Sequence, residues 1–229
     1  MLNPEISIII PVYNHAKELA ECLESIKNQA ITSPSFTKEG VGGGYEIIIV
    51  DDGSDGPIGA IEGARVIRQE NQGAPAARNR GFKESSGTYV IFCDADIVMK
   101  PDMLANMSKV LDENPGVSYA YSSFKFGWKK FKLWEFSANK LREMPYIHTT
   151  SLIRREHFPG FDESLKRLQD WDLWLSMLEE RHYGKWIDDM LFSVKSGGTM
   201  SSWLPSFLAG RDKAYQDAVS QVKRKHGLA

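Results

Sequence analysis

The sequence predicts a doubly wound α/β fold, a mixed and mostly parallel sheet flanked by helices. Three observations carry that expectation. Short β-branched runs alternate with stretches whose apolar residues recur at helical spacing, the pattern of strands joined by crossover helices. The first run, Ile6 to Val12, is nearly all apolar, as a strand covered on both faces must be. The 229 residues are 42% hydrophobic and 25% charged, the make-up of an ordinary folded domain with enough chain to bury a large core.

Taken in order, Ile6 to Ile10 form a strand that Pro11 stops. Leu19, Cys22, Leu23 and Ile26 then mark one face of a helix, with Asn14 available as its N-cap. Thr32 to Gly44, rich in Ser, Pro, Lys, Glu and Gly, reads as an unusually long exposed loop. Ile47 to Val50 is a second strand and runs into Asp51-Asp52-Gly53-Ser54. A short strand around Val66-Ile67 precedes a helix from about Pro75 to Ser85 that carries Arg78 and Asn79. Tyr89 to Cys93 is a fourth strand and runs into Asp94-Ala95-Asp96. Pro101 opens a helix with Leu104, Met107, Val110 and Leu111 inward, and Asn114-Pro115-Gly116 ends it. With right-handed crossovers, the acidic clusters fall at the carboxyl ends of the strands, where such sheets bind ligands.

The second half is less regular. Val117 to Ser122 and Thr149 to Ile153 read as strands. Between them, Phe126 to Trp134 mixes bulky apolar and basic residues, which suits a helix with one packed face or a contact with a membrane surface or sugar acceptor. Trp171, Trp174, Leu175 and Leu178 define a helix whose position N-cap is Asp170. Trp186 to Val194 is the last strand, Ser196 to Ser202 a Gly-Ser loop, and a basic amphipathic helix follows Arg211. The expected organisation is one domain over 1–229: a first half to about 116, a second half from about 117 to 203, and a helical tail over 204–229.

Charge and cysteine content exclude whole classes. Lys plus Arg number 28 against 30 Asp plus Glu, so no basic field exists to bind nucleic acid and any anionic ligand must be held locally. Cys22 and Cys93, the 2 cysteines, make neither a disulfide framework nor a metal-ligand spacing, which points to a reducing compartment. The N-terminus lacks a basic secretory leader and no apolar run approaches the ~20 residues of a membrane span. A cytoplasmic location is expected, with peripheral contact at the inner membrane face left open. Nothing in the sequence sets an oligomeric state.

Several side chains are equipped for chemistry. Asp94 and Asp96, two apart at a strand end, would point the same way ~6.6 Å apart. A hard cation such as Mg2+ or Mn2+ needs one or two carboxylates while phosphate and water complete its shell; a helix cap and a solvated side chain would equally use the pair. Asp52 can accept from a base N–H or ribose hydroxyls, or simply close an Asp-Gly turn. Asp170, fixed at a helix start, can serve as a general base. Arg78, Arg80 and Lys195 are candidate phosphate contacts. His148 lies between the aromatic segment and a strand, and the Trp stripe is core by default.

In chain order, Pro11-Val12-Tyr13-Asn14, Asp51-Asp52-Gly53-Ser54, Asn71-Gln72-Gly73 to Ala77-Arg78-Asn79, Asp94-Ala95-Asp96, Gly160-Phe161-Asp162-Glu163 and Gln169-Asp170-Trp171-Asp172-Leu173-Trp174 resemble family 2 glycosyltransferases of the GT-A fold. The likeness runs from about residue 5 to 203. Each motif is weak alone, and six in the right order make coincidence improbable. The resemblance implies inverting transfer of a sugar from a nucleotide-diphosphate donor, a UDP-sugar first, to a glycan, lipid-linked or other hydroxyl acceptor, and the lack of a hydrophobic membrane segment in the sequence leads us to expect a non-processive enzyme. It assigns the nucleotide to Pro11, Val12, Tyr13, Asp52, Arg78, Asp94 and Ala95, a Mn2+ or Mg2+ ion to Asp96 with Asp94 second, and the catalytic base to Asp170. Lys195, His148 and Trp171 become diphosphate or acceptor contacts.

Two departures stand out. Gln169 replaces the acidic neighbour usual before the base, and Val194-Lys195-Ser196-Gly197 replaces a loop that often carries a histidine. A sugar-phosphate nucleotidyltransferase would need a Gly-rich phosphate loop that Ile6 to Asn14 lacks, and Gly40 to Gly44 precedes a strand rather than opening a helix as a dinucleotide fingerprint must. A nucleotide-sugar-binding module without activity is the other alternative.

Overall fold

The computed structural model describes residues 5–30, 44–195 and 213–228. The expected loops at 32–43 and 196–202, and the first residues of the tail, lie outside them.

Strand β1 (Ile6–Val12) is buried along its length except at Pro11. It is sandwiched between parallel strands β2 (Tyr45–Asp52) and β4 (Tyr89–Phe92), with β3 (Arg65–Gln69) outside β2. Pro11 falls beyond Ile9↔Phe92, the last pair with β4. Helix α1 (Ala16–Lys27) buries Leu19, Cys22, Leu23 and Ile26, as their spacing requires. Asn14 does not cap it. The helix starts after His15 without a side-chain cap, and Asn14 sits at φ 58°, a left-handed conformation Asn tolerates. There its N–H donates to Ser54 Oγ (3.0 Å) and its Oδ1 accepts from Asp55 N (2.9 Å), fastening the end of β1 to the loop after β2. Helix α2 (Ala74–Glu84) opens with Pro75 in its first turn and lies so close to β1 that a Cβ on Gly81 would meet Ile9 Cγ2 at 2.4 Å.

Strand β5 (Ile97–Met99) has no counterpart in the sequence reading, since three residues are too few to show a period. Helix α3 (Met103–Glu113) begins two residues after Pro101 and buries Leu104, Met107 and Leu111, with Val110 only partly covered. Strand β6 (Tyr119–Phe126) turns at Gly127 (φ 55°) into β7 (Lys129–Phe131). The expected packed helix over 126–134 is therefore a hairpin. Phe124-Lys125-Phe126 alternates with period two, and the Phe124 and Phe131 rings stack across the pair at 5.0 Å.

Helix α4 (Ala138–Glu143) leads to β8 (Leu152–Arg154). Thr149 to Ser151, expected in that strand, stay out of it because they bond locally: Thr150 N donates to His148 Nδ1 (3.0 Å) and Ser151 Oγ to His148 O (2.8 Å). Helix α5 (Gln169–Glu179) follows, and Asp170 lies inside its first turn rather than capping it; the N-cap is Leu168 at φ 58°. Strand β9 (Gly184–Val194) and helix α6 (Lys213–Lys225) complete the described chain.

The strands form one sheet in the order β3-β2-β1-β4-β8-β6-β9-β5, with β7 on β6. Following the pairings, β1, β2, β3, β4, β6 and β9 run one way and β5, β7 and β8 the other. The carboxyl ends of β1, β2, β4, β6 and β9 thus share one edge of the sheet. A continuous core backs that edge, from Ile8 and Phe92 through Tyr119 to Trp171 and Trp174, and reaches Val222 of α6.

Candidate active site

The first carboxylates on that edge end β2. Asp51 accepts from Ser54 N (2.9 Å), Ile58 N (3.4 Å) and Arg68 (2.5 Å). Burial pushes its carboxyl up, and these hydrogen bonds more than offset that, holding it below the usual range. Asp52 accepts from Gln69 Nε2 (2.8 Å) and Gln72 N (2.9 Å) on Oδ1 and from Gly73 N (2.8 Å) on Oδ2. It is buried and anchors the loop that delivers α2. The turn after Asp52 requires Gly53, which has φ 78° and where a Cβ would lie 2.8 Å from Asn71 N.

The second acidic group is not on a strand. β4 ends at Phe92, and Asp94-Ala95-Asp96 forms a turn closed by Ile97 N donating to Asp94 O (3.0 Å). The two-residue strand spacing therefore does not apply. Ala95 is buried, and Asp96 accepts Lys195 N on its backbone oxygen (3.0 Å), joining the turn to the end of β9.

Arg78, buried on α2, ties this turn to α5. Its guanidinium donates to Asp94 Oδ1 (2.6 Å) and Gln169 Oε1 (3.0 Å), and its Cζ lies 5.3 Å from the Phe161 ring centroid. Its Nε–H is buried without a partner among the described residues. Burial raises the Asp94 carboxyl, and the Arg78 cation more than compensates, so Asp94 stays ionised. Asp96 has no such partner among the described residues: burial, then the charge of Asp94, push it up to about 6. Next to Arg78 in sequence, Asn79 clips the loop before α5 in place. Its Nδ2 donates to Phe161 O and its Oδ1 accepts Phe161 N, each at 2.9 Å.

Asp170 accepts from Trp171 N (2.9 Å), and burial raises its carboxyl, which makes it a stronger base once ionised. α6 closes on the same place: burial and the charge of Asp170 raise the Tyr215 phenol. Trp171, expected as a diphosphate or acceptor contact, is interior, and its Nε1 donates to Leu141 O (2.6 Å). His148 is buried between Phe124 (5.0 Å) and Phe192 (5.1 Å). Burial pushes its imidazole down to about 4 against the pull of Asp94, and its Nδ1 accepts from Thr150 N, so the neutral ring carries its proton on Nε2.

Of the remaining expected residues, Val12 is buried, Pro11 half-buried, and Tyr13 stands exposed at the open end of β1. The Lys195 ammonium pairs with Glu21, and Arg80 pairs with Glu84 on its own helix (3.0 Å). Gln169 stands out in the sequence only as a departure from the family pattern; its pairing with Arg78 spans 91 positions, which no local pattern reveals.

A divalent cation fits this donor set. The Asp96 carboxylate is disfavoured as an anion by its surroundings, Asp94 keeps Oδ2 free of any described hydrogen bond, and two carboxylates suffice where phosphate oxygens supply the rest. The described residues hold no group of three or more His, Cys, Asp or Glu that would bind a metal without such help. The edge thus sets the Asp94 and Asp96 carboxylates and the buried Arg78 near the carboxylate of Asp170.

The chain is similar to known proteins in sequence and fold. The model of the family described as Glycosyl transferase family 2 matches residues 7–167. An uncharacterized glycosyltransferase of Haemophilus influenzae is 31% identical over 198 residues, 76% of this chain and 62% of that protein. One from Rickettsia felis is 29% identical over 217 residues, 85% of this chain and 34% of its own. The chain therefore spans less than two thirds of either relative. Among solved structures, S. aureus TarS 1-349 in complex with UDP-GlcNAc superposes with a TM-score of 0.71 at 18% identity, over 96% of this chain and 66% of that one. Mannosyltransferase PcManGT from Pyrobaculum calidifontis, in complex with GDP-Man and Mn2+, does so with a TM-score of 0.62 at 19% identity, over 98% and 64%. The fold is the GT-A arrangement.

Proposed function

The chain belongs to glycosyl transferase family 2, and from that premise we propose that it transfers one sugar, with inversion, from a nucleotide-diphosphate donor to a hydroxyl acceptor. A UDP-sugar is the first-choice donor, and a glycan or lipid-linked glycan the acceptor. The observation that carries this reading is the buried Arg78, which brings the Asp94 turn and the Gln169-Asp170 helix start into one site.

In this reading the nucleoside lies along Pro11, Val12, Tyr13 and the Asp52 loop, and Asp94 with Ala95 meets the ribose. Asp96, with Asp94 second, holds Mn2+ or Mg2+, which when bound neutralises the charge of the departing diphosphate. Asp170 takes the acceptor proton as the oxygen attacks the anomeric carbon opposite the diphosphate. The sugar–phosphate bond breaks as the new bond forms, its electron pair leaves on the diphosphate, and the configuration inverts without a covalent enzyme intermediate. Burial supports Asp170 in this role, since a raised carboxyl pulls a proton harder. Gln169 orients the Arg78 fork without adding a third negative charge.

The test is UDP release from a panel of UDP-sugars with Mn2+ and candidate acceptors, beside the thermal shift produced by UDP. Asp170→Asn should lower turnover by ~10²–10⁴ while keeping the UDP shift. Undiminished turnover in that variant would remove Asp170 as base. UDP binding with no turnover by the unaltered protein on any donor would leave a binding module.

A further inference from the structure

The β6–β7 hairpin presents a surface to which the proposed reaction assigns no role. Its tip residue, Trp128, is 95% exposed, while every other tryptophan among the described residues is at least half-buried. Around it stand Lys125, Lys129, Lys130 and Lys132, and no acidic residue occurs from Lys125 to Trp134. Lys125, Lys129 and Lys130 make no ion pair among the described residues, and the Lys129 ammonium lies 4.9 Å from the Phe131 ring centroid. Lys132 only approaches Asp188, at 4.0 Å. The nearest other carboxylate in sequence, Glu135, is occupied by Lys185 (3.3 Å). An indole held fully in water beside uncompensated ammonium groups has no folding role: Phe124 and Phe131, on the strands, do the packing.

The hairpin is also aimed. β6 runs parallel to β9 and in the direction of β1, β2 and β4, so its tip projects past the edge that carries the acidic turn. Gly127 N donates to Val194 O (3.0 Å), and the next residue, Lys195, donates its N–H to Asp96 O (3.0 Å). Two backbone hydrogen bonds and one peptide link therefore connect the finger to the site.

We propose that this hairpin docks the protein on an anionic phospholipid bilayer. Trp128 enters the headgroup boundary, where an amphipathic indole is most at home, and the lysines lie against lipid phosphates. The chemistry argues for this occupant over a peptide or a neutral glycan, because clustered lysines without a partner carboxylate need an extended anionic surface, and a lone exposed indole needs an apolar layer beneath it. The sheet edge with Asp94, Asp96 and Asp170 then faces the membrane. This inference stands whether or not the chain transfers sugar.

Co-sedimentation with phosphatidylcholine vesicles, with and without phosphatidylglycerol, tests it. Partitioning should appear on the anionic vesicles, be at least tenfold weaker on the neutral ones, and fall with added salt. Trp128→Ala should lose about tenfold, and Lys125→Glu with Lys130→Glu more, while the melting temperature stays unchanged because these three side chains are exposed. Brominated lipid should quench emission of the unaltered protein more than that of Trp128→Phe. Equal partitioning by Trp128→Ala, equal binding to neutral vesicles, or tryptophan quenching that Trp128→Phe does not reduce would each overturn the proposal. So would a Trp128→Ala defect confined to soluble oligosaccharide, which would make the finger a glycan contact.

Discussion

Arg78 is a cation that burial would exclude were it not fastened at several points. Its planar fork reaches Asp94 and Gln169 on two other segments, and the Phe161 face covers it. Lysine has one donor centre and cannot bridge both. Arg78→Ala should cost ~2–3 kcal/mol near pH 7, below the usual 3–5 for a broken buried pair because the Asp94 side chain is 29% exposed. The sign with pH follows from Asp94, whose carboxyl in the folded protein sits below its ordinary 3.8. Its contribution is complete above that unfolded value and disappears as acid protonates it. Chemical denaturation of Arg78→Ala and unaltered protein should therefore differ most at pH 6–7 and converge below pH 4; a gap that widens in acid would show that Arg78 does not stabilise Asp94. Residue types were legible here where partners were not. Asp52, Arg78, Asp94, Asp96 and Asp170 stand out in the sequence as charged groups at punctuated strand and helix ends. That Asp52 accepts one donor from the end of β3 and two from the loop before α2, or that Trp171 turns inward to Leu141, depends on contacts 17 to 30 positions apart.

Among the elements, α6 is held by a clasp that no periodicity announces. The sequence shows a basic amphipathic helix, and amphipathicity says only that one face is apolar. In the structure Val222 is buried, Lys225 reaches Asp162 (2.7 Å) and Asp172 (2.8 Å), and His226, just past the helix, lies between Asp172 (Nε2, 2.9 Å) and Glu179 (Nδ1, 2.8 Å). Burial lowers the His226 imidazole, and hydrogen bonds to Asp172 and Glu179 outweigh it, so the ring holds its proton above the ordinary 6.5. That contribution is whole below 6.5 and is lost as pH rises through the raised value. On the acid side, Lys225 and Ser164 hold Asp162 down to about 2, so its contribution fades only as pH falls from about 3.8 toward 2. The clasp is tightest between about pH 4 and 6.5. Amide exchange across 213–225, corrected for intrinsic rates, should speed up ~tenfold from pH 6 to pH 8.5, and His226→Gln should remove most of that dependence. An identical change in the variant would rule out the imidazole. Hairpin β6–β7 and strand β5 escaped the sequence for related reasons. The hairpin's two strands flank bulky residues that also suit a helix face, and β5 gains its identity only from β9, nearly a hundred residues away.

At the scale of the whole molecule, the sequence suggests a first half to about residue 116 and a second of similar size, and the sheet interleaves them. β4, from the first half, pairs with β8 from the second, while β5, also from the first, sits at the far edge against β9, beyond β8 and β6. Neither half can leave without stripping strands from the other, and one continuous core runs from β1 to α6. A chain cut after residue 116 would expose the β4 edge and leave β5 with no strand to pair, a long unpaired edge that invites association. Urea unfolding of the protein should therefore be one transition, with far-UV circular dichroism and tryptophan emission coincident. The two probes divide the molecule usefully: every tryptophan lies in the second half, at 128, 134, 171, 174, 186 and 203, whereas the β1-β2-β4 core and helices α1 to α3 belong to the first. Noncoincident transitions, or a 1–116 fragment that folds and binds UDP unaided, would show that the nucleotide half is independent. Coincidence would mean that neither half keeps its structure without the other, as the pairing of β4 with β8 and of β5 with β9 requires.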